Sequence, residues 1–319
     1  MKTLNFKNGD QMPILGLGTW QSEPGEVFKA VIEAIKIGYR HIDCAYIYKN
    51  EKEIGEALAK AFKDGLVKRE ELWITSKLWN DSHEEHQVFS ALENTLKDLQ
   101  LDYLDLYLVH WPLALKKGVD FPEGTGDFLT LDQAPLSKTW KKMEEAKEKG
   151  LVKHIGVSNF KIQKLHDLME SATIAPEMNQ IEMHPFLPQY ELVGYCKEKG
   201  IHLTAYAPLG AAYRVHSEED LKLPLLLENT TVLDIAQRHQ ATPAQVVLAW
   251  GMARGTAVIP KSVNPHRLKE NFDAINLKLN ESELALLNQL EGPYRFTTGE
   301  LWTAFNSPYS KSDFWEEYT

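Results

Sequence analysis

Short apolar runs alternate with amphipathic helical stretches eight times along this chain, and no break in composition or linker interrupts the series. A strand buried on both faces reads as an apolar run, whereas a crossover helix shows an apolar stripe at every third or fourth residue. Strands are predicted at 14–20, 41–46, 72–79, 104–111, 154–159, 178–184, 202–208 and 257–262. One helix opens after Pro24, carries Val27, Ala30, Val31, Ala34 and Ile35, and ends at Gly38. The next runs from Glu51 to Gly65, and others are predicted at 84–99, 137–149, 161–170, 189–199, 230–239, 243–253, 265–274 and 281–290. Eight βα units predict a TIM barrel, (β/α)8, as one α/β domain over residues 1–319. A doubly wound sheet is the alternative, but it seldom needs eight strands in so even an alternation.

Three additions decorate the repeat. Residues 3–12 read as an N-terminal hairpin turning at Asn8-Gly9-Asp10. Irregular insertions fall at 113–136 and 209–229. The C-terminal tail, 291–319, holds Tyr294, Phe296, Trp302, Phe305, Tyr309, Phe314, Trp315 and Tyr318, too many large apolar groups to stay disordered. It is expected to fold back over one end of the barrel.

A formal net charge of −10 argues against nucleic acid and anionic membranes as partners. The N-terminus has no apolar signal region, no apolar run approaches a membrane span of about 18 residues, and the two cysteines, Cys44 and Cys196, fall in apolar stretches. A cytoplasmic protein with buried free thiols is expected.

The stretch His41-Ile-Asp-Cys-Ala-Tyr-Ile-Tyr48 places Asp43 on a strand and Tyr48 just past its carboxyl end. Lys77 lies on the next strand and His110 on the one after. Neighbouring strands stand about 5 Å apart, so four polar side chains at that rim can converge. Their chemistry fits together. A phenol with an ordinary pKa near ~10 is a poor acid at neutral pH, and a nearby ammonium stabilises its phenolate. Asp43 can hold Lys77 in place, Lys77 can tune Tyr48 as a proton donor to a developing alkoxide, and neutral His110 can orient a carbonyl. Side chains cannot supply hydride, so such a site needs a nicotinamide or flavin.

Gly16-Leu-Gly-Thr-Trp20, Asp43 with Tyr48-Lys-Asn-Glu51, Ser76-Lys77-Leu-Trp79, Leu106-Tyr-Leu-Val-His-Trp-Pro112, Gly156-Val-Ser-Asn-Phe160, Asn179-Gln-Ile-Glu182 and Ile259-Pro-Lys-Ser262 together resemble the aldo-keto reductase superfamily, nearest its aldose/aldehyde reductase branch. The resemblance covers roughly residues 3–290. It implies a (β/α)8 barrel with NADPH extended across the carboxyl-end rim, Tyr48 as general acid, Asp43 and Lys77 as its tuners and His110 at the carbonyl. It also implies Ser158, Asn159 and Gln180 at the nicotinamide carboxamide, Tyr206 stacked on the ring with Leu209 beside it, and Thr19, Trp20 and Asp43 on the ribose side. Lys261, Ser262 and Arg267 match the grip on the adenosine 2′-phosphate, with Glu270 and Asn271 at the adenine. A Lys ending one strand and an Arg opening the next helix make an anion site in their own right, which favours NADPH over a weaker NADH. One departure stands out: Ala207 and Gly210-Ala-Ala-Tyr replace the serines and acidic residue with which many relatives close over the pyrophosphate.

The substrate pocket is expected between Trp20, Ile47, Trp79, His110 and Trp111, with parts of 113–136 and the tail near Trp302 closing it. Lys116 and Lys117 are read as plain loop charges. Gly16-Leu-Gly18 lacks the third glycine of a dinucleotide fingerprint. His83-Glu-Glu-His86 lacks zinc-helix spacing and reads as a solvated helix cap, so no metal is expected. The sequence therefore predicts NADPH-dependent reduction of aldehydes and aldoses by a monomer, a dimer being the alternative. Two rivals stay open: a lyase using Lys77 as a Schiff-base nucleophile, and a barrel that binds cofactor without turnover.

Overall fold

Trp73–Leu78 and Leu104–Val109 are buried at every position. Strands with no exposed face need cover on both sides, which a closed parallel sheet jacketed by helices provides. The computed structural model, describing residues 2–210, 225–290 and 295–316, has that architecture. Its strands are β1 (Thr3–Asn5), β2 (Gln11–Pro13), β3 (Leu17–Gly18), β4 (His41–Asp43), β5 (Trp73–Leu78), β6 (Leu104–Val109), β7 (Ala114–Leu115), β8 (Phe128–Leu129), β9 (Val152–Ser158), β10 (Met178–Glu182), β11 (His202–Tyr206) and β12 (Ala257–Val258). Its helices are α1 (Glu26–Ile37), α2 (Glu51–Lys63), α3 (Val88–Leu99), α4 (Leu136–Glu148), α5 (Ile162–Ser171), α6 (Tyr190–Lys199), α7 (Thr230–His239), α8 (Pro243–Ala253), α9 (Pro265–Asp273), α10 (Glu281–Asn288) and the short α11 (Glu300–Thr303).

Eight strands form one parallel sheet in the order β3-β4-β5-β6-β9-β10-β11-β12. Parallel bridges from Leu15 to Val258 and from Gly18 to Lys261 join its two ends and close the predicted (β/α)8 barrel. The first and last strands are shorter than expected. Val258 makes an ordinary parallel bridge, its N–H donating to the Ile14 carbonyl and its carbonyl accepting from Gly16, but Pro260 has no N–H to donate and only accepts, from Gly18.

The strand expected over 41–46 stops at Asp43. Its apolar and polar residues alternate, yet His41 through Ala45 are all buried, so the alternation marks no exposed face. Ala45 is extended, and Tyr46–Tyr48 then wind into a 3₁₀ turn ended by Lys49 at φ 56°. That turn folds Tyr48 back over the rim.

Helix α3 starts at Val88 rather than 84, and His83 is a buried residue, 1% exposed, not a solvated cap. Elsewhere the ends follow sequence chemistry: Thr242, Asn280, Asn229 and Asn264 accept backbone N–H groups at the starts of α8, α10, α7 and α9. Among the described residues, no helix is long and apolar enough to cross a membrane. Both cysteines are free and buried.

The antiparallel hairpin β1–β2 plugs the amino-terminal end of the barrel. Phe6 packs against His154, 4.2 Å between ring centres, and His154 bonds Asp10 and Glu177, both at 2.9 Å. At the other end the tail joins Trp79, Trp111, Leu113, Leu115 and Phe128 in a second apolar cluster through Trp302, Tyr309, Phe314 and Trp315. Tyr294 and Tyr318, also expected there, lie outside the described residues, as does 211–224 of the second insertion.

Candidate active site

The carboxyl ends of β4, β5 and β6 bring the four predicted residues together. Lys77 is fully buried, and its ammonium meets three acceptors: Asp43 Oδ2 at 2.6 Å, the Cys44 carbonyl at 2.8 Å and Tyr48 Oη at 3.2 Å. Three acceptors match the three protons of an ammonium. Burial alone would push the Lys77 pKa down, but the charge of Asp43, with Tyr48 behind it, raises it instead. The amine is held protonated, which removes the nucleophile a Schiff-base lyase would need.

Asp43 is equally committed. Its Oδ1 accepts the Gln180 amide at 2.7 Å, and its carbonyl accepts Thr19 Oγ1 at 2.7 Å. Asn50 in turn donates to the Thr19 carbonyl at 2.8 Å. The ring of Tyr48 lies 4.9 Å from Trp20 and 6.1 Å, edge on, from His110. His110 follows β6 directly and packs edge-on against Trp79 at 5.0 Å. Burial first, then the charge of Lys77 and the nearness of His83, push the His110 pKa well down, so the imidazole is neutral. A neutral ring carries one N–H to offer a carbonyl oxygen.

These residues open onto a cavity of about 800 Å³. On its inner side Ser158 donates to the Gln180 carbonyl at 2.8 Å, Asn159 to the His110 carbonyl at 3.0 Å, and Tyr206 Oη to Asn159 Oδ1 at 2.7 Å. Asn159 takes φ 63°, a left-handed conformation asparagine tolerates. Ala207, the departure noted in sequence, sits at φ 45°, which is strained for alanine. The cavity continues past Leu209 to Lys261, Ser262 and Arg267. Lys261 donates to the Gln21 carbonyl at 2.8 Å, and burial lowers its pKa. Asn264 already caps the N–H groups of His266 and Arg267, leaving the side chains as the anion-facing donors.

Trp20, Ile47, Trp79, Trp111 and Trp302 all line the cavity. Glu270 and Asn271 do not: Glu270 accepts Thr242 Oγ1 at 2.8 Å, and Asn271 is buried on α9. Lys117 bonds Asp81 and Ser82 instead of facing the cavity. Phe121 and the run 296–301 fall in the two segments that sequence reasoning named only as regions, and Gln21 and Val263 it missed. In the tail the aromatics carried the visible signal, and Thr297-Thr298-Gly299 between them did not.

A nicotinamide dinucleotide fits this donor set. Amide and hydroxyl groups cluster beside Tyr48, the indole N–H of Trp20 is buried without a partner at the cavity wall, and two cations with a hydroxyl stand at the far end.

The family model described as "Aldo/keto reductase family" matches residues 14–291. Aldo/keto reductase slr0942 of Synechocystis sp. is 48% identical over 317 residues, 99% of this chain and 97% of that protein. Aldo-keto reductase family 1 member A1 of Homo sapiens is 44% identical, covering 90% of this chain and 89% of its own. The solved aldose reductase of Schistosoma japonicum superposes with a TM-score of 0.89 at 44% identity, covering all of both chains. With its barrel closed and its four rim residues in contact, this chain belongs to the aldo/keto reductase family, oxidoreductases that act on carbonyl groups and their alcohols and generally depend on NAD(P)H.

Proposed function

We propose that this protein reduces aldehydes, open-chain aldoses among them, to primary alcohols with NADPH, and that Tyr48 is the general acid. The observation that carries this reading is the Lys77 ammonium, spent on Asp43, Cys44 and Tyr48 at once. A cation 3.2 Å from the phenol oxygen stabilises the phenolate left after proton donation. Neutral His110 orients the carbonyl oxygen toward Tyr48 without competing as an acid. Bound NADPH supplies the hydride. Ser158, Asn159 and Gln180 would hold its carboxamide, Tyr206 would face the ring, and Lys261, Ser262 and Arg267 would take the 2′-phosphate. The aromatic walls at Trp20, Trp79, Trp111 and Trp302 exclude water and suit the apolar face of a sugar or an aldehyde chain. We further propose that the chain works as a single-domain monomer in the cytoplasm.

Replacing Tyr48 with Phe tests the assignment. NADPH oxidation with an aldehyde panel should fall by about 10³-fold or more, while NADPH binding, followed by fluorescence, stays close to that of the parent. Turnover retained in the variant refutes Tyr48 as the acid.

A further inference from the structure

Glu182 ends β10, two residues beyond Gln180 and paired in register with Tyr206. It therefore stands at the functional rim, on the strand that carries a nicotinamide-side residue. It is fully buried, yet it bonds nothing in the tetrad. Its carboxylate turns outward to the tail instead. Oε1 accepts the backbone N–H of Phe296 at 2.8 Å, and Oε2 accepts that of Thr297 at 2.7 Å. His184 Nε2, also fully buried, reaches Oε1 at 3.0 Å, and its ring lies 5.4 Å from that of Phe296.

These bonds matter because of where the chain goes next. Residues 296–302 all line the cavity, and they end in Trp302, which packs on Trp79 and Trp111 at 5.8 and 5.5 Å. The far side of the tail is tied independently. Tyr309 Oη donates to the Leu129 carbonyl at 2.6 Å and accepts the Ala114 N–H at 3.0 Å. Arg295 stacks over Trp315 at 3.9 Å, and Trp315 donates to the Thr298 carbonyl at 2.8 Å. The tail from 296 to 309, whose first part is the cavity wall, is thus a strap with one end on Glu182 and the other, through Tyr309, on the insertion hairpin β7–β8.

We propose that Glu182 is a positioning residue that selects among carbonyl substrates, by fixing where residues 296–302 stand over the pocket. The inference rests on the reading that this cavity takes the carbonyl compound. A carboxylate suits the task. Two backbone N–H groups converge on two oxygens, and the His184 bond adds a third donor. Burial on its own would raise the Glu182 pKa, but the bonds from His184 and Phe296 and the charge of Arg295 bring it below the usual range, so the group stays ionised.

The test is Glu182→Gln. An amide offers one oxygen where the strap needs two, so one of the two N–H groups faces an NH₂ and the strap shifts. Steady-state kinetics would compare a bulky aromatic aldehyde with a small aliphatic one. The ratio of their kcat/KM values should change by about five-fold or more, carried by KM. The kcat for the small aldehyde and the affinity for NADPH should stay within about two-fold. A folded variant with an unchanged ratio overturns the proposal. Should the variant fail to fold, amide hydrogen exchange on the parent protein decides. Slow exchange at Phe296 and Thr297 supports the anchor, and exchange as fast as that of an unbonded surface amide overturns it. A parent protein that turns over no aldehyde with NADPH would sink the functional reading instead, and the exchange result would still judge the anchor.

Discussion

Glu51 accepts the hydroxyl of Ser76 at 2.5 Å, and so ties the residue three beyond Tyr48 to the residue just before Lys77. Its second oxygen accepts Thr95 Oγ1 at 3.0 Å. Burial pushes this carboxyl up to about 7, against the pull of the Ser76 and Thr95 bonds, with the charge of Asp98 adding to the rise. A folded pKa above the unfolded value means the protonated form is the one the fold prefers. The stabilisation is complete below the unfolded value of 4.5 and is lost as pH climbs through about 7.

Glu51→Gln should therefore flatten the upper part of the stability profile. The parent protein should lose up to about 3 kcal/mol between pH 5 and 8 through this one group, and the amide variant should lose none of that share. Thermal unfolding at several pH values reads the difference directly. Parallel profiles for the two proteins would show that Glu51 does not titrate in this window.

Gly55 lies one turn along α2 from Glu51, and a Cβ built there would stand 2.2 Å from the backbone carbonyl of Asp98 on α3. In an open helix Gly→Ala gains about 1 kcal/mol. Here the neighbour is backbone and cannot rotate away, so the sign reverses. Gly55→Ala should destabilise by about 2–3 kcal/mol, measured by urea unfolding. An equal or higher midpoint would mean the two helices can part without loss.

How much of this was legible depends on whether the signal was local. The eight units could be read because strand and helix periods differ and each lies within a short stretch. Asp43, Tyr48, Lys77 and His110 could be grouped because one rim collects the strand ends. The 3₁₀ turn at Tyr46–Tyr48 was not legible: it follows directly on His41 through Ala45, all buried, and its Tyr-Ile-Tyr continues their alternation, so polarity does not report the backbone's path. His83 misled for a similar reason, since two neighbouring glutamates suggested solvent around a side chain that is enclosed. The bond from Glu182 to Phe296 and Thr297 joins segments 114 and 115 residues apart through backbone N–H groups, and backbone donors leave no mark on residue identity.

Lys77→Met removes the ammonium but leaves Asp43 buried beside Tyr48. Breaking a buried pair from one side costs about 3–5 kcal/mol, because the remaining charge has lost its partner. The variant should unfold at a markedly lower temperature and lose about 10²-fold or more in kcat with an aldehyde and NADPH. Lys77→Arg should not rescue it. A planar guanidinium cannot place donors on Asp43, Cys44 and Tyr48 in the tetrahedral arrangement an ammonium uses. Near-normal kcat in the Arg variant would mean that positive charge alone suffices.

Arg267 and Lys261 differ in how freely they can meet an anion. Lys261 is already bonded to the Gln21 carbonyl at 2.8 Å, and burial lowers its pKa. Arg267, exposed like Lys261 and like it lining the cavity, stands at the first turn of α9 without such a carbonyl bond among the described residues. A guanidinium binds phosphate oxygens through paired donors, so this residue should carry most of the preference for a 2′-phosphate over a 2′-hydroxyl. Arg267→Ala should raise the KM for NADPH by about ten-fold or more and leave that for NADH within about two-fold. The loss should shrink as salt rises, because the contact is exposed and screened beyond about 8 Å at physiological ionic strength. Equal losses with both cofactors would assign Arg267 to the helix rather than to the phosphate.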